Sequence, residues 1–207
     1  MATIDLLGAY NGRGELAISV LRDEHASTIQ VVLDGTNSYD GGYTYPNVIR
    51  AGWLLGRNTT TGLYAPVKCT KVVESPATAA TSNTVTVVNA AAFVVGDVIS
   101  IGAVTGRTIT AVDYTLNKIT FSSTAINAAD GDVVKVTNGY EKAIAILLDT
   151  VELRDPENRN PANKQVNAAV RGFVRSASVK GDYSVASGVS GNALSQFIFD
   201  VNYGYSS

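Results

Sequence analysis

The chain has 207 residues, of which 45% are hydrophobic and 16% are charged, and its formal net charge is −2 at pH 7. This length is sufficient for one sizeable core, or for one core and a smaller module. The sequence pI near 5.4 provides no basic field for a phosphate backbone, so nucleic acid is excluded as the expected partner.

Cysteine usage and apolar run lengths exclude further classes of protein. Cys69 is the single cysteine, so an intrachain disulfide is impossible, and the sequence has no Cys and His cluster with metal-site spacing. No apolar run reaches the length of a membrane span, and the N-terminus lacks the pattern of a signal peptide. We therefore expect a protein that is made and stays soluble without export, with no metal, cofactor or membrane contact.

The first predicted element is an N-terminal arm, residues 1–26. It contains several glycines and the apolar run "IDLL", a pattern typical of a segment that orders only on contact with a partner.

The next segments have an apolar period of two, which predicts short strands joined by turns. The first strand is predicted over 27–34, and a tyrosine-rich loop follows it. "AGWLLGR", residues 51–57, is predicted as a strand, "NTTTG" as a turn, and "LYAPVK", residues 63–68, as the returning strand. Pro66 is expected at an edge or at a strand end.

Within this hairpin, two glycines flank a dense apolar run. Gly52 and Gly56 predict that neighbouring backbones approach closely. Trp53, Leu54 and Leu55 are then expected to fill either a core or a subunit interface. The sequence leaves both possibilities open.

The middle of the chain, residues 70–138, is almost free of aromatic residues and is dominated by Thr, Val and Ala. Five alternating pieces, "NTVTVVN", "DVISIGA", "RTITAVDY", "NKITFSS" and "DVVKVTN", are separated by turn signals. They predict an inserted domain, a small β-barrel or sandwich that completes its own core.

The last part of the chain returns to the denser apolar style. "YEKAIAILLDTVEL" and "NAAVRGFVRSASV" are predicted strands, and the tail is predicted to hold one short helix, capped by Ser190 or Asn192, before a final aromatic strand. We thus predict a mainly β fold with little helix, in which residues 27–69 and 139–207 form one discontinuous core around the inserted domain.

Outside the insert, a set of packing residues recurs in a recognisable order. They are Ala51, Gly52, Leu55, Gly56, Gly62, Tyr64, Pro66, Ile146, Leu147, Leu148, Arg171 and Gly172. With them the chain resembles the bacteriophage head decoration proteins related to protein D of phage lambda. The resemblance covers about half of the chain and excludes the insert.

The resemblance implies a β-clip-like core that binds the outer surface of a phage capsid as a homotrimer, at three-fold or quasi-three-fold sites. Such a protein cements capsomers against the pressure of packaged DNA, and its partner is the major capsid protein. The residues expected to contact the capsid are Ile4, Asp5, Leu6, Leu7, Tyr10 and Leu16. The residues expected in the trimer contact are Tyr43, Tyr45 and Trp53.

Other function classes have less support in the sequence. His25, the single histidine, has no nucleophile in a recognisable frame, Cys69 is expected to be a small buried residue, and we expect no catalytic residues. A tail or neck protein is the first alternative. A carbohydrate-binding or host-surface-binding module is the second, although the insert offers only Phe93, Tyr114 and Phe121 as aromatic residues.

Overall fold

The structure, a computed structural model, describes residues 27–41, 43–45, 47–73, 83–122, 128–157, 160–175, 179–180 and 197–200. In these residues every regular element is a strand, so the predicted mainly β fold is confirmed. The strands are β1 (Ser27–Leu33), β2 (Val48–Ile49), β3 (Leu54–Arg57), β4 (Tyr64–Pro66), β5 (Cys69–Lys71), β6 (Thr84–Thr86), β7 (Val98–Ile101), β8 (Val104–Asp113), β9 (Lys118–Phe121), β10 (Val133–Val136), β11 (Ala143–Leu147), β12 (Val151–Glu152), β13 (Lys164–Arg175) and β14 (Phe197–Asp200). The predicted helix cap at Ser190 or Asn192 lies outside the described residues.

Five strands form a closed barrel. Their order is β1-β4-β3-β11-β13, and pairing of β13 with β1 closes the ring. An odd number of strands cannot alternate in direction around a ring, so one neighbouring pair must be parallel. That pair is β1 and β4, which meet at Leu33 and Tyr64. On β13, the segment beyond the barrel pairs in parallel with β14.

The barrel strands are buried on both faces where β3 and β11 pass each other. Leu55 packs inside the barrel with Leu33 and Trp53, whereas Leu54 packs on the other face with Cys69 and neighbouring apolar side chains. This double burial explains why the hairpin sequence is a continuous apolar run and does not alternate with polar residues. Of the two possibilities for positions 53–55, the structure places these side chains in the core.

The close backbone approach predicted at Gly56 is confirmed. A Cβ atom at this position would overlap the carbonyl oxygen of Tyr140. Gly52 has a φ of 104°. Its N–H donates a hydrogen bond to the carbonyl of Leu147, and its carbonyl accepts one from the N–H of Lys180. Both glycines therefore allow other strands to pack directly against the hairpin.

The segment between the barrel strands forms a second sheet, with the order β5-β10-β7-β8-β9-β6. Each of the five predicted pieces contains one of its strands, and β5 is the additional one. The sheet curls until its edges meet at a bridge between Val72 and Val87. It encloses a hydrophobic cluster whose members all lie within residues 72–136. A single curled sheet therefore forms this core, whereas a sandwich would need two facing sheets.

The boundary predicted between residues 69 and 70 falls inside β5. Cys69, the first residue of this strand, is 5% exposed and packs with the barrel, while Val72 packs in the curled sheet. The chain thus passes from one core to the other between the first residue of β5 and the residue that follows the strand. The expectation of a small buried cysteine is confirmed.

A buried tyrosine ties the barrel together. The Tyr140 hydroxyl donates a 2.6 Å hydrogen bond to the carboxylate of Asp34, which directly follows β1. Burial would raise the pKa of Asp34, but hydrogen bonds from Tyr140, Asn37 and Thr36 together outweigh it and lower this pKa below 3.8. Burial, and then the bond to Asp34, raises the pKa of Tyr140 to about 12.

This raised pKa predicts a loss of stability at alkaline pH. An unfolded tyrosine loses its proton near pH 10, whereas folded Tyr140 keeps its proton until about pH 12. The stabilisation that the protonated hydroxyl gives to the folded state is therefore fully present below pH 10 and is lost as the pH rises through 12. We expect the stability difference between the native protein and Tyr140→Phe to shrink over this window by on the order of 2 kcal/mol. Urea unfolding of both proteins across the window measures it, and parallel pH profiles would contradict it.

Candidate functional site

The strongest candidate for a functional surface is the tyrosine loop, which we define as residues 39–45 with the exception of residue 42. It connects β1 to β2 and lies where the barrel meets the curled sheet. Its start is shaped by Asp34, whose carboxylate accepts hydrogen bonds from the main-chain N–H groups of Thr36 and Asn37 at 2.9 and 3.1 Å. Such a carboxylate-capped turn fixes the direction in which the loop leaves the strand.

Asp40 anchors the loop through its buried side chain. Its side chain is fully buried and accepts two hydrogen bonds from the Arg50 guanidinium, at 2.7 Å from Nε and 2.9 Å from Nη2. A third bond, of 2.9 Å, comes from the indole Nε1 of Trp53. A buried carboxylate is costly unless it is paired and hydrogen-bonded, and here three donors satisfy it. The loop is therefore held in a single position.

This anchor supports a partly exposed aromatic surface, which we call the tyrosine surface and define as Tyr43, Tyr45 and Arg50. The Arg50 guanidinium lies over the Tyr43 ring, with its carbon 4.9 Å from the ring centre. The ring of Tyr45 meets that of Tyr43 edge to face at 6.0 Å, and Tyr45 is 55% exposed. Tyrosine and arginine are the side chains most enriched at the energetic centres of protein interfaces.

The same loop also contacts the curled sheet. The N–H of Gly41 donates a 2.6 Å hydrogen bond to the carbonyl of Ala91, and the ring of Tyr39 lies 6.4 Å from that of Tyr114. A side chain at Gly41 would overlap the Tyr114 ring. Tyr114 in turn donates a 2.9 Å bond from its hydroxyl to the carbonyl of Phe93.

An ion pair forms the second connection between barrel and curled sheet. The ammonium group of Lys68 lies 2.8 Å from both carboxylate oxygens of Asp97, and only 4% and 13% of the two side chains are exposed. Asp97 also accepts the N–H of Val94, and the carbonyl of Lys68 accepts the N–H of Val136. The pair is thus built into both units.

The structure separates the predicted contact residues into three groups. Tyr43 and Tyr45 lie on the tyrosine surface. Trp53 is 1% exposed and buried in the barrel, so the prediction that its side chain contacts a second copy is wrong; its indole N–H instead bonds to Asp40. The predicted capsid contacts, Ile4, Asp5, Leu6, Leu7, Tyr10 and Leu16, lie outside the described residues, as does His25.

Aromatic residues of the insert do not form a sugar-binding platform. Phe93 and Phe121 are fully buried in the core of the curled sheet, and Tyr114 is half-buried at the junction. The carbohydrate-binding alternative therefore loses the side chains on which it depended.

Sequence reasoning missed the burial of Asp40 and Lys68. Asp40 stands in "SYDGG", which has the composition of any exposed turn, and nothing local signals burial. Lys68 gave a usable signal, because it is the one charge in the apolar run "LYAPVKC" and a charge in such a run usually has a buried partner.

Within the described ranges, no group of three or more His, Cys, Asp or Glu side chains is placed to hold a metal ion. No helix among those residues is long and apolar enough to cross a membrane. No family model, curated protein or solved structure matches this chain.

Proposed function

We propose that this chain is a structural virion protein that binds the outer surface of a phage capsid as a trimer and cements neighbouring capsomers. One observation carries the proposal: the segments that resemble the head decoration proteins lie on β3, β4, β11 and β13, and these strands are consecutive in one closed barrel. Residues scattered along the sequence thus belong to a single packing unit. The major capsid protein is the proposed partner, and three-fold or quasi-three-fold positions are the proposed sites.

In this proposal the tyrosine surface forms the trimer contact. The Tyr45 ring is exposed, the Tyr43 ring beside it is half-buried, and Arg50 connects both to the buried Asp40 carboxylate. Preorganisation of this kind lowers the entropy lost on association. Residues 1–26, which precede β1, are the proposed capsid-binding arm, and three arms on one trimer would raise the overall affinity by about 10² or more.

Removing the two tyrosine rings of this surface is therefore expected to weaken the trimer. We expect Tyr43→Ala with Tyr45→Ala to raise the dissociation constant at least tenfold, which corresponds to the loss of about 1.4 kcal/mol or more. Val88→Ala is the control, because Val88 is 51% exposed on the curled sheet and takes no part in the proposed contact. Light scattering over a dilution series measures the mass, and equal masses for the double variant and the control would contradict the prediction.

Capsid binding is tested on shells of the phage that encodes the protein. We expect saturable co-sedimentation with mature shells, in multiples of three copies, and loss of binding when residues 1–26 are removed. The truncated protein must keep its trimer mass, so that loss of binding is not loss of assembly. A few copies at one vertex would indicate a tail or neck protein, and no binding by the intact chain would refute the proposal.

A further inference from the structure

Strand β1 has one open edge. It pairs with β13 along its full length, from Ser27 to Leu33. On its other side β4 meets it only at Leu33. No strand in the described part of the chain pairs with residues 27–32 on that side.

The direction of the main-chain groups along β1 follows from its neighbour. Gln30 lies opposite Asn167 of β13. The carbonyl of Asn167 accepts a 3.0 Å bond from Leu148, so Asn167 directs its main-chain groups away from β1. Because these groups alternate along an antiparallel pair, Thr28 and Gln30 direct both N–H and C=O to the open side. Four hydrogen-bonding groups thus face outward in a row.

The side chains of this edge do nothing to prevent pairing. Residues 27–30 are all exposed, so both faces of the strand are open here, and Ile29 keeps 39% of its surface exposed. The sequence "STIQVVL" contains no charge, proline or glycine. Natural proteins protect open edges with such residues, and a strand without them is a template for another strand.

We propose that β1 of a second copy of this chain pairs with this edge, antiparallel and across a two-fold axis at Ile29. A two-fold contact places a strand against itself, so a charge on the strand would lie near the same charge of the other copy and repel it. β1 carries no charge. In this register Thr28 of one copy exchanges main-chain bonds with Gln30 of the other. The two Ile29 side chains, exposed in one copy, bury each other. This contact does not depend on the proposed capsid function.

The experiment is sedimentation equilibrium of the full chain from about 1 µM to about 1 mM, since a short edge supports only a weak contact. We expect the mass of the species present at low concentration, monomer or trimer, to double as the concentration rises. Ile29→Lys puts two ammonium groups face to face at the axis and is expected to weaken the association at least tenfold. Val88→Lys, which adds the same charge at an exposed valine of the curled sheet, is expected to leave it unchanged.

Two further variants keep the test decisive if Ile29→Lys lowers stability. Thr28→Pro removes an N–H that faces the open side and leaves the β1–β13 bonds in place, so it is expected to weaken association in the same way. Ile29→Cys in a Cys69→Ser background is expected to give a disulfide-linked dimer on oxidation, because residues directly opposite at a two-fold axis are close enough to bridge.

Four outcomes would overturn the proposal. The chain could be monomeric at all concentrations, or its mass could respond equally to Ile29→Lys and Val88→Lys. A trimer unaffected by Ile29→Lys would place the copy contact elsewhere and leave the proposed function standing. If removal of residues 1–26 alone created the association at Ile29, the arm of the same chain would be the occupant of the edge.

Discussion

Replacing Asp40 with asparagine is expected to lower the free energy of unfolding by about 3–5 kcal/mol. Three donor groups point at this buried carboxylate, two from Arg50 and one from Trp53. An amide of the same shape has one acceptor oxygen and adds two donor hydrogens, so at least one buried N–H would lose its partner and the Arg50 charge would lose its counter-ion. Urea unfolding at neutral pH measures the change.

The matched control for Asp40→Asn is Asp113→Asn. Asp113 also accepts two hydrogen bonds, from the main-chain N–H groups of Thr115 and Leu116, but it is exposed. We expect the free energy of unfolding of the control to fall by about 1 kcal/mol or less, because water can accept a hydrogen bond from any exposed N–H group that the amide does not pair with. Equal losses in the two variants would show that the Asp40 anchor is not the buried charge pair described above.

The Asp40 variant also tests the proposed trimer. Because Arg50 is both a donor to Asp40 and part of the tyrosine surface, loss of the anchor frees the surface to move. We expect the near-ultraviolet circular dichroism of the tyrosines to decrease and the trimer to weaken at temperatures where the barrel is still folded. An unchanged trimer in a folded Asp40→Asn protein would separate the tyrosine surface from assembly.

Replacing Lys68 with methionine is expected to cost a similar amount, about 3–5 kcal/mol. Methionine keeps most of the side-chain volume but leaves the Asp97 carboxylate, 13% exposed, without its cation. Since the pair joins the barrel to the curled sheet, we expect the loss of stability to be concentrated where these two units meet. Hydrogen exchange should therefore rise at the residues around β5 and β7 before it rises inside either core.

Two comparisons isolate the Lys68 effect. Lys118→Met, at an exposed position of β9, removes the same charge and is expected to change stability by no more than about 0.5 kcal/mol. Adding Asp97→Asn to Lys68→Met removes the uncompensated charge and is expected to recover part of the loss, since an asparagine oxygen still accepts the N–H of Val94. If the double variant were less stable than Lys68→Met by the full cost of a second buried change, the two side chains would not be coupled.

The local elements could be predicted from patterns of adjacent residues. Alternation and turn residues predicted β6–β10 piece by piece, and the apolar run with its two glycines predicted the β3–β4 hairpin, because period, turn chemistry and close approach are properties of a few adjacent residues. Pro66, expected at an edge or a strand end, is the last residue of β4 for the same reason.

How these elements pair and pack is visible only in the folded chain. Closure of the barrel pairs Ser27 with Arg171, and the buried contacts join Asp34 to Tyr140 and Lys68 to Asp97 across long stretches of chain. Such a pairing cannot be seen as a periodic pattern in either sequence segment, since each partner only needs to complement the other in space. The same residue types that make Asp40 look like a turn residue therefore become a buried anchor once Arg50 and Trp53 fold over it.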